Sequence, residues 1–532
     1  MSIIDIKKIE DNAKLECDIC IIGSGMSGQI IASKIKNKKI IIIDSGESQF
    51  NEEIQNLNDI ETTGLKFREN HINRIRQLGG SANLWANQLM FLEKEEIEKR
   101  EWLSSDLSWI INYEDLKQNY LEIIKDIFNK SLYKFLDPMI LDKNKYNSFV
   151  EEDFLKTKNI SFKDHLWPSK MEKFNLSSNF TQELIKKSDI HFFKNCTATN
   201  FTINQNNQTI EKITVQSAGK KNLIKAKYFV LSCGGIENAR ILLNNQIKYK
   251  ILENNNTGKY FMDHPRVNLG NFVSKKKFTL SALFGIKFQN LDFRKSISIS
   301  KAFQKEKRIL NSHAYLDPIF DNNDDLFYKN FLKESKKIIK LKGIPNIRFN
   351  EINVKKILQQ IYFKMPPQVS NSSLNNLIRL WLNKKDNYLS FSKIDINYQG
   401  EQIPNIDSKI YLGNKSDKFN QKKVIVNWKL SKIDYETQYQ FINILKNISN
   451  SHSYLSFNEN TDKEITDASH HSGTTRMSLS KSDGVVDNNC KFHGIYNLYI
   501  SGSSTFRSIG SANPGLTNMA MSNRLGKYLN NL

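Results

Sequence analysis

Residues 17–45 read CDICIIGSGMSGQIIASKIKNKKIIIIDS, and the fold follows from this stretch. An apolar run over 19–22 meets Gly23-Ser24-Gly25-Met26-Ser27-Gly28, and a second apolar run over 40–43 ends at Asp44. That order predicts strand, glycine turn, helix, strand. Gly23 permits the tight turn, Gly25 lets the backbone approach a pyrophosphate, and Gly28 lets the helix pack close to the sheet. The helix N-terminus offers free N–H groups and a positive dipole end to phosphate. Asp44 stands about 20 residues after the first glycine, where a carboxylate accepts from a ribose hydroxyl. A lone glycine turn is a weak signal. With both strands, the helix and the terminal acid in register, it predicts a dinucleotide site. NAD and FAD both use this unit, so the rest of the chain decides between them.

The 532 residues carry 77 Lys and Arg against 56 Asp and Glu, a net charge of +21. That length allows two or three domains. The lysines sit beside asparagines and isoleucines along the whole chain, whereas a nucleic-acid footprint is clustered. The charge therefore reads as composition, and no nucleic-acid partner is expected. The 5 cysteines are odd in number and scattered, which argues against a disulfide framework. Cys17 and Cys20 fall on the first strand, where residues three apart point to opposite faces, so both read as core residues. No metal ligands are assigned. The N-terminus lacks a signal-peptide apolar region, and no stretch has the length of a transmembrane helix, so a cytoplasmic protein is expected.

Downstream, Arg74-Ile-Arg76-Gln-Leu-Gly79-Gly80-Ser81-Ala-Asn83-Leu84-Trp85 is a glycine loop with exposed N–H groups, suited to phosphate or a flat ring. Leu116, Tyr120 and Ile123 recur at helical spacing behind a capping Asn112. Trp167-Pro168 marks a break. Short β-rich runs at 191–194, 198–203, 210–217 and 223–231 are predicted as a meander beside the nucleotide-binding sheet. The last of them enters Ser232-Cys233-Gly234-Gly235-Ile236-Glu237-Asn238-Ala239-Arg240, again a strand running into a glycine turn and helix. Strands are expected at 278–288, 297–299, 388–396, 409–412 and 423–428, with a helix over 434–448. Basic, amphipathic helices are expected at 324–339, 354–361 and 374–381, most simply as the cap of a substrate domain, with a membrane surface or partner subunit as alternatives.

Several of these segments resemble the glucose-methanol-choline (GMC) family of flavin oxidoreductases. The carriers are the Gly79-Gly80-Ser81-x-Asn83-x-Trp85 loop, the Gly234-Gly235-Ile236-Glu237 turn, Gly258-Lys-Tyr-Phe-Met-Asp263-His264-Pro265, and Glu401-Gln402-Ile-Pro404-Asn405. The match is most specific at the C-terminus, in His470-His471-Ser-Gly473-Thr474-Thr-Arg476-Met477, Gly484-Val-Val-Asp487, Asn497 to Ser504, and Asn513-Pro514-Gly515-Leu516-Thr517. One departure is Phe506-Arg507-Ser508, where the family has Phe-Pro-Thr near the flavin edge. Another is Leu84, at the position of the histidine that pyranose oxidases bond to their flavin, so non-covalent FAD is expected.

The resemblance implies an α/β (α+β overall) architecture with two domains. A Rossmann-like FAD-binding domain would use residues 1–100, 191–270 and 451–532. A substrate domain with an antiparallel sheet and helices would use 101–190 and 271–450. The expected cofactor-binding residues in the first unit are Gly23, Ser24, Gly25, Met26, Ser27, Gly28, Asp44 and Ser45. Arg76, Gly79, Gly80, Ser81, Asn83, Leu84 and Trp85 follow in the second loop, then Ala198, Cys233 and Gly234. The C-terminal part adds Gly502, Ser503, Asn513, Pro514 and Thr517.

Alcohol oxidation needs loss of a hydroxyl proton and of a hydride from the same carbon. A neutral imidazole suits the first task, its ordinary pKa being about 6.5. An amide can hold the substrate oxygen without competing for the proton. His470 and Asn513 fit base and positioner by residue type and by the resemblance, with His471 the alternative base and His264 read as a hydrogen-bonded loop residue. On an extended segment the two neighbouring histidines face opposite ways, so only one is expected to reach the substrate. A helix opening near Pro514 would turn its N-terminus toward the flavin and favour FAD over NAD. The reading is an FAD-dependent oxidoreductase acting on the CH–OH group of a sugar, polyol or cyclic alcohol. A flavin-containing lyase of the same fold and a non-catalytic basic binding protein are the alternatives. The electron acceptor and the oligomeric state stay open.

Overall fold

The computed structural model describes residues 3–68, 73–104, 107–128, 153–168, 174–278, 286–288, 291–319 and 391–532. Its first sheet has 8 strands. Five run parallel, in the order Ile3–Asp5, Ile190–Lys194, Ile40–Ile43, Lys14–Ile22 and Lys220–Leu231. Thr209–Ser217 and Thr197–Asn204 continue the sheet antiparallel. Leu498–Ile500 adds a parallel strand beside Lys220–Leu231. All four isoleucines of Ile40–Ile43 are buried, because a parallel strand inside a sheet is covered on both faces and reads as a continuous apolar run. Ile22 pairs with Ile43 and Leu231, Ile43 with Phe193, and Leu231 with Ile500. The carboxyl ends of the parallel strands are thus level, and the turns leaving them open on one edge, where doubly wound sheets bind ligands.

The expected strand–turn–helix–strand unit is present, with the helix at Met26–Lys34. It packs against the final helix, Gly515–Asn530, which also contacts the helix Tyr113–Ile123. Asn112 caps the latter by accepting from the Asp115 N–H at 2.8 Å, and Leu116, Tyr120 and Ile123 are buried as their spacing predicts. A Cβ at Gly526 would lie 2.9 Å from the Ile31 carbonyl oxygen, so glycine there permits the close crossing of the two helices.

The second sheet has 7 strands, and all its pairings are antiparallel. Its centre is Ser312–Ile319, Phe391–Gly400 and Arg266–Phe278. Phe441, Ile444, Leu445 and Ile448 of the helix Lys432–Asn450 join its core with Phe272, Leu316 and Ile396. The antiparallel sheet expected for the intervening segments is therefore there. A small sheet of Lys409–Ser416, Lys422–Trp428 and Glu61–Gly64 completes the described architecture.

Two expectations, the meander over 191–231 and the burial of Cys17, are corrected. The 191–231 runs are not a meander beside the nucleotide-binding sheet but strands of it, because parallel pairing to Ile40–Ile43 and Lys14–Ile22 draws the first and last of them in. The expected break at Trp167-Pro168 falls at the end of the strand Ile160–Pro168, which pairs with Leu291–Ile299. Cys20 is buried, but Cys17 is only half-buried, since the strand's first residues run out toward solvent. Of the strand expected over 278–288, Phe278 and Ile286–Phe288 are in strands and the remainder lies outside the described residues. The helices expected between 324 and 381 lie outside the described residues. Among the described residues no helix is long and apolar enough to cross a membrane.

Candidate active site

A cavity of about 520 Å³ follows the carboxyl edge of the first sheet and reaches the C-terminal histidines. That volume lies within the range of small-molecule and cofactor sites. Gly23, at φ +107°, makes the turn, and a Cβ there would lie 2.5 Å from the Ser232 carbonyl oxygen. Gly25 differs. Its φ of −67° suits any residue, and a Cβ would meet only the Gly79 oxygen at 3.8 Å, so neither backbone nor packing requires glycine. Its missing side chain instead leaves room in the cavity. Gly25 also caps Met26–Lys34 without a side-chain hydrogen bond, leaving first-turn N–H groups for an anion. The helices starting after Cys233 and Pro514 also lack side-chain caps and open on the same cavity. These donors and this space fit a dinucleotide such as FAD.

Asp44 ends its strand on the cavity wall, and both its oxygens are engaged. One accepts from Ser24 N–H at 3.1 Å and Ser24 Oγ–H at 2.6 Å, the other from Gly46 N–H at 2.8 Å. Burial pushes its carboxyl up, and these bonds oppose the shift. Ser24 Oγ also accepts from Gly79 N–H at 3.0 Å, which ties the second glycine loop to the first. On the same wall Glu237 pairs with Arg76 at 2.6 Å, Arg240 at 3.2 Å and Arg74 at 3.3 Å. Burial opposes the charge on Glu237, but the three guanidinium groups hold its carboxyl down at about 2.

At the histidine end, the order of donors can be worked out from groups that can play only one role. His264 Nε2 lies 3.0 Å from the Gly510 carbonyl oxygen, which can only accept, so Nε2 carries the proton. Burial pushes His264 down to about 3, so the ring is neutral and its Nδ1 is an acceptor. His470 Nδ1 lies 2.9 Å from that Nδ1 and must donate to it. His470 Nε2 is thereby left as a bare lone pair, without a hydrogen-bond partner among the described residues. Burial, with the neighbouring His264 ring and the Arg266 guanidinium opposing a further positive charge, holds His470 well below its ordinary value, so it stays neutral. Its backbone is fixed by an N–H bond to Asp263 Oδ2 at 2.9 Å, and the preceding Ser469 sits at φ +63°. A non-glycine residue in that region signals a conformation imposed by its surroundings.

His471 turns the other way, its ring 5.1 Å from Phe67 and 6.0 Å from Phe261. Both histidines nonetheless line the cavity. Burial pushes His471 down as well, to about 3; its Nε2 is sealed from solvent without a hydrogen-bond partner, whereas the His470 ring is fixed through Nδ1 by His264.

Asn513 belongs to a chain of amides whose direction starts at Arg266, a pure donor. Arg266 Nε–H donates to Gln399 Oε1 at 2.8 Å, so the Gln399 amide N–H faces Asn513 Oδ1, at 2.9 Å. Asn513 Nδ2–H then donates to Gln88 Oε1, and Gln88 Nε2 reaches His165 Nδ1 at 2.9 Å and Tyr315 Oη at 3.1 Å. The Asn513 amide is thus held in one orientation. The loop carrying it is anchored by Glu96, which accepts from Ser511 N–H at 2.8 Å, Ser511 Oγ at 2.6 Å and Asn311 Nδ2 at 2.8 Å.

Of the expected site residues, Gly23, Gly25, Met26, Ser27, Asp44 and Ser45 line the cavity. So do Arg76, Gly80, Ser81, Leu84, Trp85, Ala198, Cys233 and Gly234. Gly502, Ser503, His470, Asn513 and Pro514 line it as well. Five do not. Ser24 is buried behind the turn against Asp44. A Cβ on Gly28 would lie 2.2 Å from the Gly23 oxygen, so its role is packing. A Cβ on Gly79 would meet the Phe174 oxygen at 2.4 Å. The Asn83 side chain donates to Leu78 and Gly80 carbonyls, and Thr517 bonds Tyr120 Oη at 2.7 Å. Phe506-Arg507-Ser508 also stands off the cavity: Phe506 packs on Trp109, Arg507 pairs with Asp483, and Ser508 bonds Trp109 and the Glu96 carbonyl. The departure from the family pattern therefore alters a buried support.

Sequence reasoning missed Gln88, Glu237 and Arg266 as lining residues. Glu237 and Arg266 sit inside or beside the quoted motifs and could have been found there, whereas nothing in the local sequence marks Gln88. It also assigned no metal ligands. The structure gathers Asp263, His264 and His470, and separately Asp263, Asp467 and His471, with donor atoms within 4.8 Å. In the first group the short histidine contact is accounted for by the directed hydrogen bond, and Asp263 accepts backbone N–H bonds from Ala468 and His470.

Residues 404–522 match the GMC oxidoreductase family through its C-terminal domain. No curated protein is matched by sequence. Among solved structures, pyridoxine 4-oxidase from Mesorbium loti superposes with a TM-score of 0.59 at 11% identity, covering 97% of this chain and 99% of its own. An Aspergillus oryzae RIB40 formate oxidase carrying R554A, studied for FAD modification, gives 0.54 at 14% identity over 97% and 98% of the two chains. The C-terminal segment thus matches GMC oxidoreductases, and the whole chain shares the fold of these two solved oxidases.

Proposed function

We infer that the chain is an FAD-dependent oxidoreductase acting on a CH–OH group. His470 takes the hydroxyl proton through Nε2, and Asn513 holds the substrate oxygen. The observation that carries this reading is the bare His470 Nε2 on the cavity wall, with its proton confined to Nδ1 by the bond to His264. The low proton affinity of His470 keeps it in the accepting form at neutral pH. The Asn513 Nδ2 donor, turned by the Arg266–Gln399 chain, suits a hydroxyl oxygen that becomes a carbonyl. Gly25, Ser27, Gly80 and Gly234 would hold the cofactor's phosphates and ring system, and Pro514 opens the helix facing it. FAD, when bound, supplies the hydride acceptor. Leu84, on the cavity wall, cannot form the covalent link a histidine could, so that position supports non-covalent flavin. Flavin from this protein should remain in solution when the protein is precipitated with acid; flavin retained in the precipitate would contradict that part.

The test is anaerobic titration of the purified protein with a panel of alcohols, sugars and polyols. Bleaching of the flavin band is expected with at least one compound, and His470→Ala should slow it by about 10²–10⁴-fold. Reduction at the parent rate in that variant removes His470 as base. No bleaching by any alcohol would favour the lyase alternative.

A further inference from the structure

A second cavity, of about 470 Å³, adjoins the first and shares Arg68, Gln88 and Arg266 with it. Tyr315, Asn397 and Gln399 are also on its wall, so it is a polar chamber beside His470 and Asn513. Its acids are already neutralised. Asp317 accepts from Arg294 at 2.7 Å and from Asn397 at 2.7 Å, and Glu464 pairs with Lys66 at 2.6 Å. Arg68 has Asp467 at 4.0 Å. Arg266 is different: its guanidinium donates through Nε to Gln399, and among the described residues no carboxylate comes within ion-pairing distance, Asp263 and Asp467 acting on it only from farther away. The Nη groups of a guanidinium form a fork matched to a planar carboxylate. A half-buried guanidinium on the wall of an open polar chamber, with no carboxylate in contact, leaves its Nη groups to take one from a ligand.

The position is built in. Arg266 opens its strand in register with Gln399, and its backbone pairs with Thr466 at 2.8 and 2.9 Å in the two directions. Two hydrogen bonds, through Gln399, connect its guanidinium to the Asn513 amide. We propose that Arg266 forms a carboxylate-binding subsite beside His470 and Asn513, and that the substrate is a small hydroxy acid. This deepens the reading above and rests on it. Oxidation would remove a hydride from the carbinol carbon and a proton from its hydroxyl, giving the oxo acid, with FAD as the two-electron oxidant. The carboxylate is unchanged and serves as the handle.

The experiment compares glycolate, 3-hydroxypropionate and 4-hydroxybutyrate with their amides by anaerobic calorimetric titration of the purified holoenzyme with its flavin already reduced, so that no hydride can be transferred. At least one acid should bind about tenfold or more tightly than its amide, as expected for a hydrogen bond to a charged group. The preference should vanish in Arg266→Gln and persist in part in Arg266→Lys, with unchanged flavin content and melting temperature. Equal binding of acid and amide at all three lengths overturns the proposal on the parent protein alone, whether or not the variants fold. So does a preference that survives Arg266→Gln. Binding is read without turnover, so it separates from the redox reading: anaerobic flavin reduction by neutral alcohols but not by the acids overturns only the carboxylate subsite, whereas no reduction by either class overturns the oxidoreductase reading.

Discussion

At the scale of single residues, the site is a problem of proton bookkeeping settled by groups with one role each. The Gly510 carbonyl can only accept and Arg266 can only donate, and from these two the states of His264, His470, Gln399 and Asn513 follow in turn. His264 therefore acts through His470, as a positioning residue. His264→Leu leaves the His470 Nδ1 proton without a partner and should slow anaerobic flavin reduction about tenfold or more. His264→Gln can accept from His470 and donate to Gly510, and should recover most of that loss. A rate equally depressed in both variants would mean that His264 matters only for packing. Gly510 itself has φ +57°, and a Cβ would meet Leu92 Cδ2 at 2.5 Å, so the carbonyl that starts this chain depends on glycine.

Between elements, the two glycines of the first turn make a matched pair. Ala at position 28 would force a contact of 2.2 Å with the Gly23 oxygen, whereas Ala at position 25 meets nothing closer than 3.8 Å. Gly28→Ala should destabilise the fold by about 1–3 kcal/mol. Gly25→Ala should melt like the parent yet copurify with little flavin; parent-like flavin content would refute the reading of Gly25 as a cofactor cradle. Glu96 joins the segment from which it comes to the strand Ile160–Pro168 through Lys163 at 3.2 Å and to the Ser511 loop. Burial raises the cost of its charge, but Lys163 and the Ser511 bonds overcome this and hold the carboxyl well below its ordinary 4.5. A carboxyl lowered by folding adds stability above its unfolded value, and that stability is lost as pH falls through the folded value. Glu96→Gln should thus cost about 3 kcal/mol near neutral pH by leaving the buried Lys163 only the more distant Glu93, at 3.6 Å, and the gap to the parent should narrow below pH 4.5. Denaturant melts across pH would measure it.

For the whole molecule, the buried histidines set the acid response. His165, His264, His313, His470 and His471 are all held below the ordinary 6.5, burial being the first cause in each. The unfolded chain binds protons that the folded one refuses, so stability rises with pH up to about 6.5 and falls on acidification below it. His313 has neither ring nitrogen hydrogen-bonded among the described residues. His313→Phe should flatten the pH dependence of the melting temperature between pH 5 and 6.5 by about one proton's worth, and an unchanged slope would contradict the neutral assignment. The first βαβ unit, the Asn112 cap and the helix after Pro514 were legible in the sequence, because turns, caps and apolar periodicity are local properties that each short segment carries. His470 and Asn513 could be singled out by residue type and motif. What only the tertiary structure decided was the setting that gives them their chemistry. His264 meets His470 across 206 residues, Gln399 meets Asn513 across 114, and Asn513 meets Gln88 across 425. Such pairings leave no periodic trace, since they depend on which strand edge and which loop the fold brings together. The same holds for the parallel pairing that drew 190–194 and 220–231 into one sheet, and for the guanidinium of Arg266, which no carboxylate contacts among the described residues, a fact of space and not of sequence.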